Sequence, residues 1–270
     1  MWYSLTIYSR KLYHGEKKEV KENKIYQYML EKFTIMVYHS LNGYTTTKGE
    51  NYMTYEEVKK DAAVRVYIRQ ADASMEALGF TEHSFAHVTK VSQIAGDLLT
   101  KLGYPERDVE LARIAGYLHD IGNLVNRVDH SQSGAVMAFR ILDRMNFPPE
   151  EIATIVTAIG NHDEGTGVPV NAVAAALIIA DKSDVRRSRV RKTADIAADI
   201  HDRVNYSVTG ADLTVDTDKK IMTLSLDVDT QVSSVMEYFE IFMKRMAMCR
   251  QAAKKLGLSF RLTINGQQLV

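Results

Sequence analysis

Cysteine is almost absent: the 270 residues contain one, Cys249. A single thiol excludes an intrachain disulfide framework and any multi-cysteine zinc or iron–sulfur site. It also points to a reducing compartment, read here as the cytoplasm. An excess of charge of either sign is absent too. The 34 Lys plus Arg balance 34 Asp plus Glu, so nucleic-acid binding through bulk charge is disfavoured, although a local basic patch is not. No apolar run approaches the roughly 18 residues that suggest a membrane-spanning helix. The N-terminus lacks the clean apolar region and small-residue cleavage site of a signal peptide. No motif presents a serine or cysteine nucleophile. What the chain does have is 46% hydrophobic and 25% charged residues, enough to bury a core and too little charge for a disordered chain.

Residues 1–52 differ from the rest. They contain no Ala, Asp or Pro, yet hold eight of the 14 tyrosines. One reading is an N-terminal helical extension around Tyr26–His39. The other is a translated leader: Lys48-Gly49-Glu50 can be encoded by a purine-rich ribosome-binding sequence two codons before Met53, which would then be the native start.

From Met53 to about Tyr206 the periodicity predicts helices. One opens at Thr54-Tyr55-Glu56-Glu57 and runs toward Leu78, stopped by Gly79. A second, capped by Thr81, carries the stripe Val88, Val91, Ile94, Ala95, Leu98 and Leu99. A third covers Glu106–Asp120, a fourth Ser131–Met145, and a fifth begins at Pro148-Pro149 and reaches Ile159. Gly165–Pro169 reads as a loop. Asn171–Asp184 is apolar nearly all round, which predicts a buried central helix. After Tyr206 the period changes. Ala211–Val215 and Ile221–Val228 alternate around a turn, Gln231–Leu256 is amphipathic, and Leu258–Ile264 reads as a strand. The expected organisation is an extension or leader over 1–52, a helical catalytic domain over 53–206, and a small β-β-α-β domain over 207–270.

Five of the eight histidines fall between His83 and His162. His83 and His87 are spaced to share a helix face. His119-Asp120 ends the third helix, His130 opens the fourth, and His162 follows the fifth. Asp181 lies inside the apolar helix, where an ionised carboxylate is costly unless paired or bound to a metal. Imidazoles and carboxylates without thiolates suit Mn, Fe, Ni, Co or Zn.

The ordered set His87, His119-Asp120 in Leu118-His119-Asp120-Ile121-Gly122, and Asp181 in Ala180-Asp181 resembles the HD superfamily of metal-dependent phosphohydrolases. His87-Val88-Thr89-Lys90-Val91 resembles that family's opening motif, and the resemblance covers about residues 80–195. It implies a mainly α fold, an HD-type helical bundle, here with the small α+β C-terminal domain. It implies that His87, His119, Asp120 and Asp181 hold a first divalent ion. His130 and His162 resemble the additional histidines of the dinuclear members, so that a bridging Asp120 would hold a second ion. The ions expected are two, with Mg added to the metals above. His119 and Asp120 would then be catalytic. The implied activity is hydrolysis of a phosphate ester or anhydride, in a small phosphorylated substrate such as a nucleotide, by a metal-activated hydroxide.

Cations are expected to bind substrate phosphates: Lys90, one turn past His87, and Lys182, Arg186 and Arg187 in the basic run that continues through Arg189, Arg191 and Lys192. His83 is a further candidate for the site. His201-Asp202 is expected at the surface. Two alternatives accompany this reading. Asn161–Pro169 resembles a shortened form of the HD-GYP elements, which implies a cyclic-dinucleotide phosphodiesterase, although Asn161, Val168 and Asn123 replace that branch's His, Tyr and Lys. The basic run and the C-terminal segment would also suit a regulatory or RNA-binding protein with a structural HD site. A homo-oligomer is compatible with either reading.

Overall fold

The computed structural model describes residues 52–191, 196 and 199–269. The extension or leader expected over 1–52 lies, apart from Tyr52, outside these residues, as does Lys192. Helix α1 spans Tyr55–Lys60 and α2 spans Ala62–Ala77, where the sequence predicts one helix. The break is Asp61. Its ψ of 124° leaves the helical region, and its carboxylate accepts the Val64 amide at 2.9 Å. An aspartate placed there favours a cap over helix continuation. Thr54 caps α1 in a reciprocal box with Glu57, the arrangement expected of Thr three residues before Glu.

Helix α3, Phe85–Lys101, starts later than the sequence predicts and is capped by Ser84, not Thr81. Residues 81–83 are held by tertiary bonds instead. The Glu82 amide donates to the Arg189 carbonyl at 2.8 Å, and the Thr81 carbonyl accepts from His83 Nδ1 at 2.7 Å. His83 therefore precedes the helix and does not share its face with His87.

Helix α4 spans Glu106–Leu118, and a short 3-10 turn follows at Ile121–Leu124. Helices α5, His130–Arg144, and α6, Pro149–Gly160, follow. The turn lies hard against the start of α5. A Cβ on Gly122 would sit 1.9 Å from the His130 carbonyl oxygen, so only glycine lets the two elements approach.

Helix α7, Ala172–Ser183, is the centre of the fold. Every residue from Val173 to Ser183 is buried, and α3, α4, α6 and the later helix α9 all pack on it. Burying each Leu or Ile contributes about 1.5–3 kcal/mol. That sum overrides the cost of carrying Asp181 inward, provided the carboxylate finds partners.

Helix α8, Ile200–Ser207, runs straight into β1, Val208–Asp216, which forms a hairpin with β2, Ile221–Val228. Helix α9, Val235–Lys255, then crosses to β3, Ser259–Ile264, which pairs parallel to β2. A parallel neighbour requires such a crossover. Met222, Leu224 and Leu226 of β2 and Phe260, Leu262 and Ile264 of β3 are buried, and α9 packs on β3. The sheet order is β1-β2-β3-β4, with β4 at Gln267–Gln268. The last strand, Gln267–Gln268, is an addition to the sequence reading. It follows Asn265-Gly266, whose φ values of 51° and 78° make the tight turn that Asn-Gly favours. Among the described residues no helix is long and apolar enough to cross a membrane.

Candidate metal centre

Six side chains from five helices and their ends converge. His87 comes from α3, His119 and Asp120 from the end of α4, His130 from the first residue of α5, His162 from the end of α6, and Asp181 from α7. All six are buried. The Asp120 carboxylate divides them. Its Oδ2 lies 3.2 Å from His119 Nε2 and 3.5 Å from His87 Nε2. Its Oδ1 lies 3.6 Å from His130 Nε2 and 4.0 Å from His162 Nε2. Asp181 Oδ1 joins the first group, 3.3 Å from His87 Nε2 and 3.6 Å from His119 Nε2.

All of these separations but the 4.0 Å between His162 and Asp120 fit ligation. Two donors each about 2.0–2.2 Å from one ion, about 90–110° apart, are separated by about 2.8–3.6 Å. Within the first group, His87 and His119 present their Nε2 atoms 3.3 Å apart. Within the second, His130 and His162 are 3.2 Å apart. Two sets, His87/His119/Asp181 and His119/Asp120/His162, place a donor from each member within 4.8 Å of the others.

The far side of each ring selects its neutral tautomer. His119 Nδ1 lies 2.8 Å from the Gly116 carbonyl, His162 Nδ1 2.6 Å from Ile159, and His130 Nδ1 3.1 Å from Arg127. His87 Nδ1 lies 2.8 Å from Asp184 Oδ2. Carbonyls and carboxylates accept only, so each Nδ1 carries a proton, and in the neutral ring each Nε2 offers its lone pair inward. This is how backbone and carboxylate partners fix histidine ligands. His83 follows the same pattern. Its Nδ1 donates to Thr81, and its Nε2 is 3.9 Å from Asp120 Oδ2.

The electrostatics agree with a cation site. Burial, with the neighbouring cations His119 and Lys182, holds His162 well below the ordinary imidazole value. Burial does the same for His83, against the pull of Asp120. Burial also resists charging His119, but Asp120 and Asp181 beside it outweigh that and raise it to about 10. Two buried carboxylates thus demand positive charge at this point. A proton on His119 can supply it, or a cation among the six donors. The residues present fit divalent metal.

The centre forms the floor of a cavity of about 400 Å³, whose walls include Phe80, His83, Arg127, Lys182, Arg189, Asn205, Phe242 and Arg245. His201 and Asp202 also line it, His201 with its side chain 66% exposed. Of the cations singled out in the sequence, Lys182 lines the cavity but is already engaged, with Nζ 2.6 Å from Asp181 Oδ2 and 3.2 Å from Glu164 Oε1. Burial opposes the charge on Lys182, and those two carboxylates more than restore it.

Lys90, Arg186 and Arg187 are not among the lining residues. Lys90 Nζ and Arg186 Nε reach Asp184 Oδ1 at 2.9 and 2.8 Å, behind His87. Arg187 donates to the Tyr206 carbonyl at 2.6 Å and lies on that residue's ring. The basic run is not a solvated helix face. Arg189 is buried between the Glu82 and Asp184 carbonyls, and Arg191 reaches Asp72 at 2.8 Å. Residues 165–169 do not line the cavity either.

Sequence reasoning missed Asp184, Arg127 and Arg245. Asp184 follows Asp181 by one helical turn, a spacing that could have marked it. Arg245 lies about sixty residues beyond Asp181, with no local signal.

Residues 84–204 match the family model described as HD domain. A stretch covering 53% of the chain is 27% identical, over 167 residues, to an uncharacterized protein of Methanocaldococcus jannaschii, of which it spans 64%. The chain therefore spans just under two thirds of that relative. A crystal structure from an uncultured Thermotogales bacterium, described as a predicted HD superfamily hydrolase, aligns at 25% identity over 46% of this chain and 67% of that one, with a TM-score of 0.36.

Proposed function

From a chain that is an HD-domain protein, we propose a metal-dependent phosphohydrolase that cleaves a phosphate ester or anhydride of a nucleotide. The observation that carries this reading is the division of Asp120, with one carboxylate oxygen among His87 and His119 and the other among His130 and His162. A carboxylate placed in this way could be shared by two divalent ions, which His87, His119 and Asp181 would hold on one side and His130 and His162 on the other. Such ions supply Lewis acidity, polarising a phosphoryl oxygen and lowering the pKa of water.

The protein's own part is positioning and charge. Phosphoryl transfer needs little else, which agrees with the absence of a serine or cysteine nucleophile motif. Asp120 and Asp181 keep the donor atoms apart at fixed separations. Asn123 Nδ2 donates to Asp120 Oδ1 at 3.0 Å and limits rotation of the shared carboxylate. Arg127 and Arg189 line the cavity; Arg189, with its guanidinium committed to the Glu82 and Asp184 carbonyls, offsets substrate charge without a free donor.

The test is phosphate release by manganese-reconstituted protein from phosphate monoesters, nucleotides and cyclic dinucleotides, for wild type, Asp120→Asn and His119→Ala. Turnover of a linear nucleotide that falls to background in both folded variants is expected. Activity retained in either variant would overturn the mechanism, and turnover confined to cyclic dinucleotides would move the substrate class to those.

A further inference from the structure

One wall of the cavity does not come from the HD-matched residues. Phe242 and Arg245 belong to α9, beyond residue 204, yet both line the same cavity as Asp120 and Asp181. Arg245 is held there on two sides. Its guanidinium lies 4.5 Å from the centre of the Phe242 ring, and its Nε is 2.7 Å from Glu164 Oε1. Glu164 in turn meets Lys182 Nζ at 3.2 Å, and Lys182 meets the ligand Asp181 at 2.6 Å. The loop that carries Glu164 is pressed onto α9, because a Cβ on Gly167 would come within 2.4 Å of Met248 Cε.

The two Nη groups of Arg245 make no hydrogen bond to any described residue. A guanidinium held by one ion pair and against one ring face, on a residue that lines the cavity, is preorganised for a bidentate oxyanion. Lys182 does not present such a fork, since its ammonium is committed to two carboxylates. Arg127 shares its Nη1 between Asn123 and His130, at 3.3 Å from each.

We infer that Arg245 is a specificity-determining residue that binds a second phosphate of the substrate, beyond the phosphate at the His/Asp centre. This rests on the phosphohydrolase reading and narrows its substrate class to diphosphorylated compounds, such as nucleoside diphosphates, over simple monoesters.

The experiment is calorimetric titration of manganese-loaded protein, dialysed free of excess metal, with inorganic phosphate and with methylenediphosphonate. Wild type binds the diphosphonate more tightly than phosphate. Arg245→Ala loses about tenfold or more in diphosphonate affinity, the scale of a charged hydrogen bond, and changes phosphate affinity by less than about threefold. Arg245→Lys, which keeps the charge but not the fork, falls between, and it decides the matter if the alanine variant does not fold. Equal loss for both anions, no loss for either, or no diphosphonate preference in wild type would each overturn the assignment. Parallel hydrolysis of ADP and p-nitrophenyl phosphate separates the two claims. Arg245-dependent diphosphonate binding without hydrolysis of either compound leaves the clamp standing and removes the activity.

Discussion

His87 and Asp184, 97 residues apart in sequence, meet through Nδ1 and Oδ2 at 2.8 Å, with both side chains fully buried. The contact orients the one imidazole that α3 contributes to the centre, and Lys90, Arg186 and the Arg189 side chain gather behind it. Burial opposes ionisation of Asp184. The His87 hydrogen bond and the surrounding cations outweigh it and hold the carboxyl far below its ordinary range.

Replacing Asp184 should therefore weaken metal binding without removing any ligand. Partners of this kind are worth about ten- to a hundredfold in affinity. Asp184→Ala is expected to lose that much in a manganese titration, and Asp184→Asn, which keeps an acceptor, less. An Asp184→Ala protein that binds manganese as wild type does would show that ring orientation is set elsewhere.

The division of Asp120 predicts a pattern of metal content. His130→Ala should lose the metal held by the His130/His162 group and keep the other, whereas Asp120→Asn should impair both. Elemental analysis of untagged protein checks this. Identical metal content in wild type and His130→Ala would reduce His130 to a structural residue. Removing metal with a chelator should abolish hydrolysis, and adding manganese back should restore it.

Gly122→Ala tests the close approach beneath the centre. Its Cβ would meet the His130 carbonyl at 1.9 Å and the Gly134 amide nitrogen at 2.5 Å, both of them backbone, so no side chain can yield. Overpacking of this kind costs about 1–3 kcal/mol. The variant should melt several degrees lower and bind metal more weakly, as followed by circular dichroism and metal titration. An unchanged melting temperature would mean the turn can move away from α5 freely.

Cys249 should be inert in the native state. Burial pushes its thiol up to about 12, against about 8.5 for an exposed thiol. Below the exposed value the thiol is neutral in both states and native stability is unaffected. As pH rises between the two values, the unfolded chain ionises first and stability falls. A thiol-labelling reagent at pH 8 should therefore modify the unfolded protein and leave the folded protein untouched. Fast stoichiometric labelling of folded protein would refute the burial.

Periodicity and spacing made much of the fold readable, because helices α3 to α6 bury an apolar stripe and α7 is apolar nearly all round. The hairpin was readable from alternation. Boundaries failed where a side chain competed with the backbone, as at Asp61, or where a loop was held by a distant strand of chain, as at residues 81–83. His83 lost its helix position for that reason. The Asn265-Gly266 turn was a local signal that passed unused.

The sequence alone determined which residue types stand at the helix ends, and so a donor set of imidazoles and carboxylates with no thiolate among them. Only the tertiary structure decided which cations face that set. Lys90, Arg186 and Arg187 lie close in sequence to His87 and Asp181, yet they turn toward Asp184 and Tyr206. Arg245 is distant in sequence and reaches the cavity. The reason is physical. Spacing fixes the face of one helix, but the partner of a long charged side chain is whichever opposite charge the packing of other helices brings within reach.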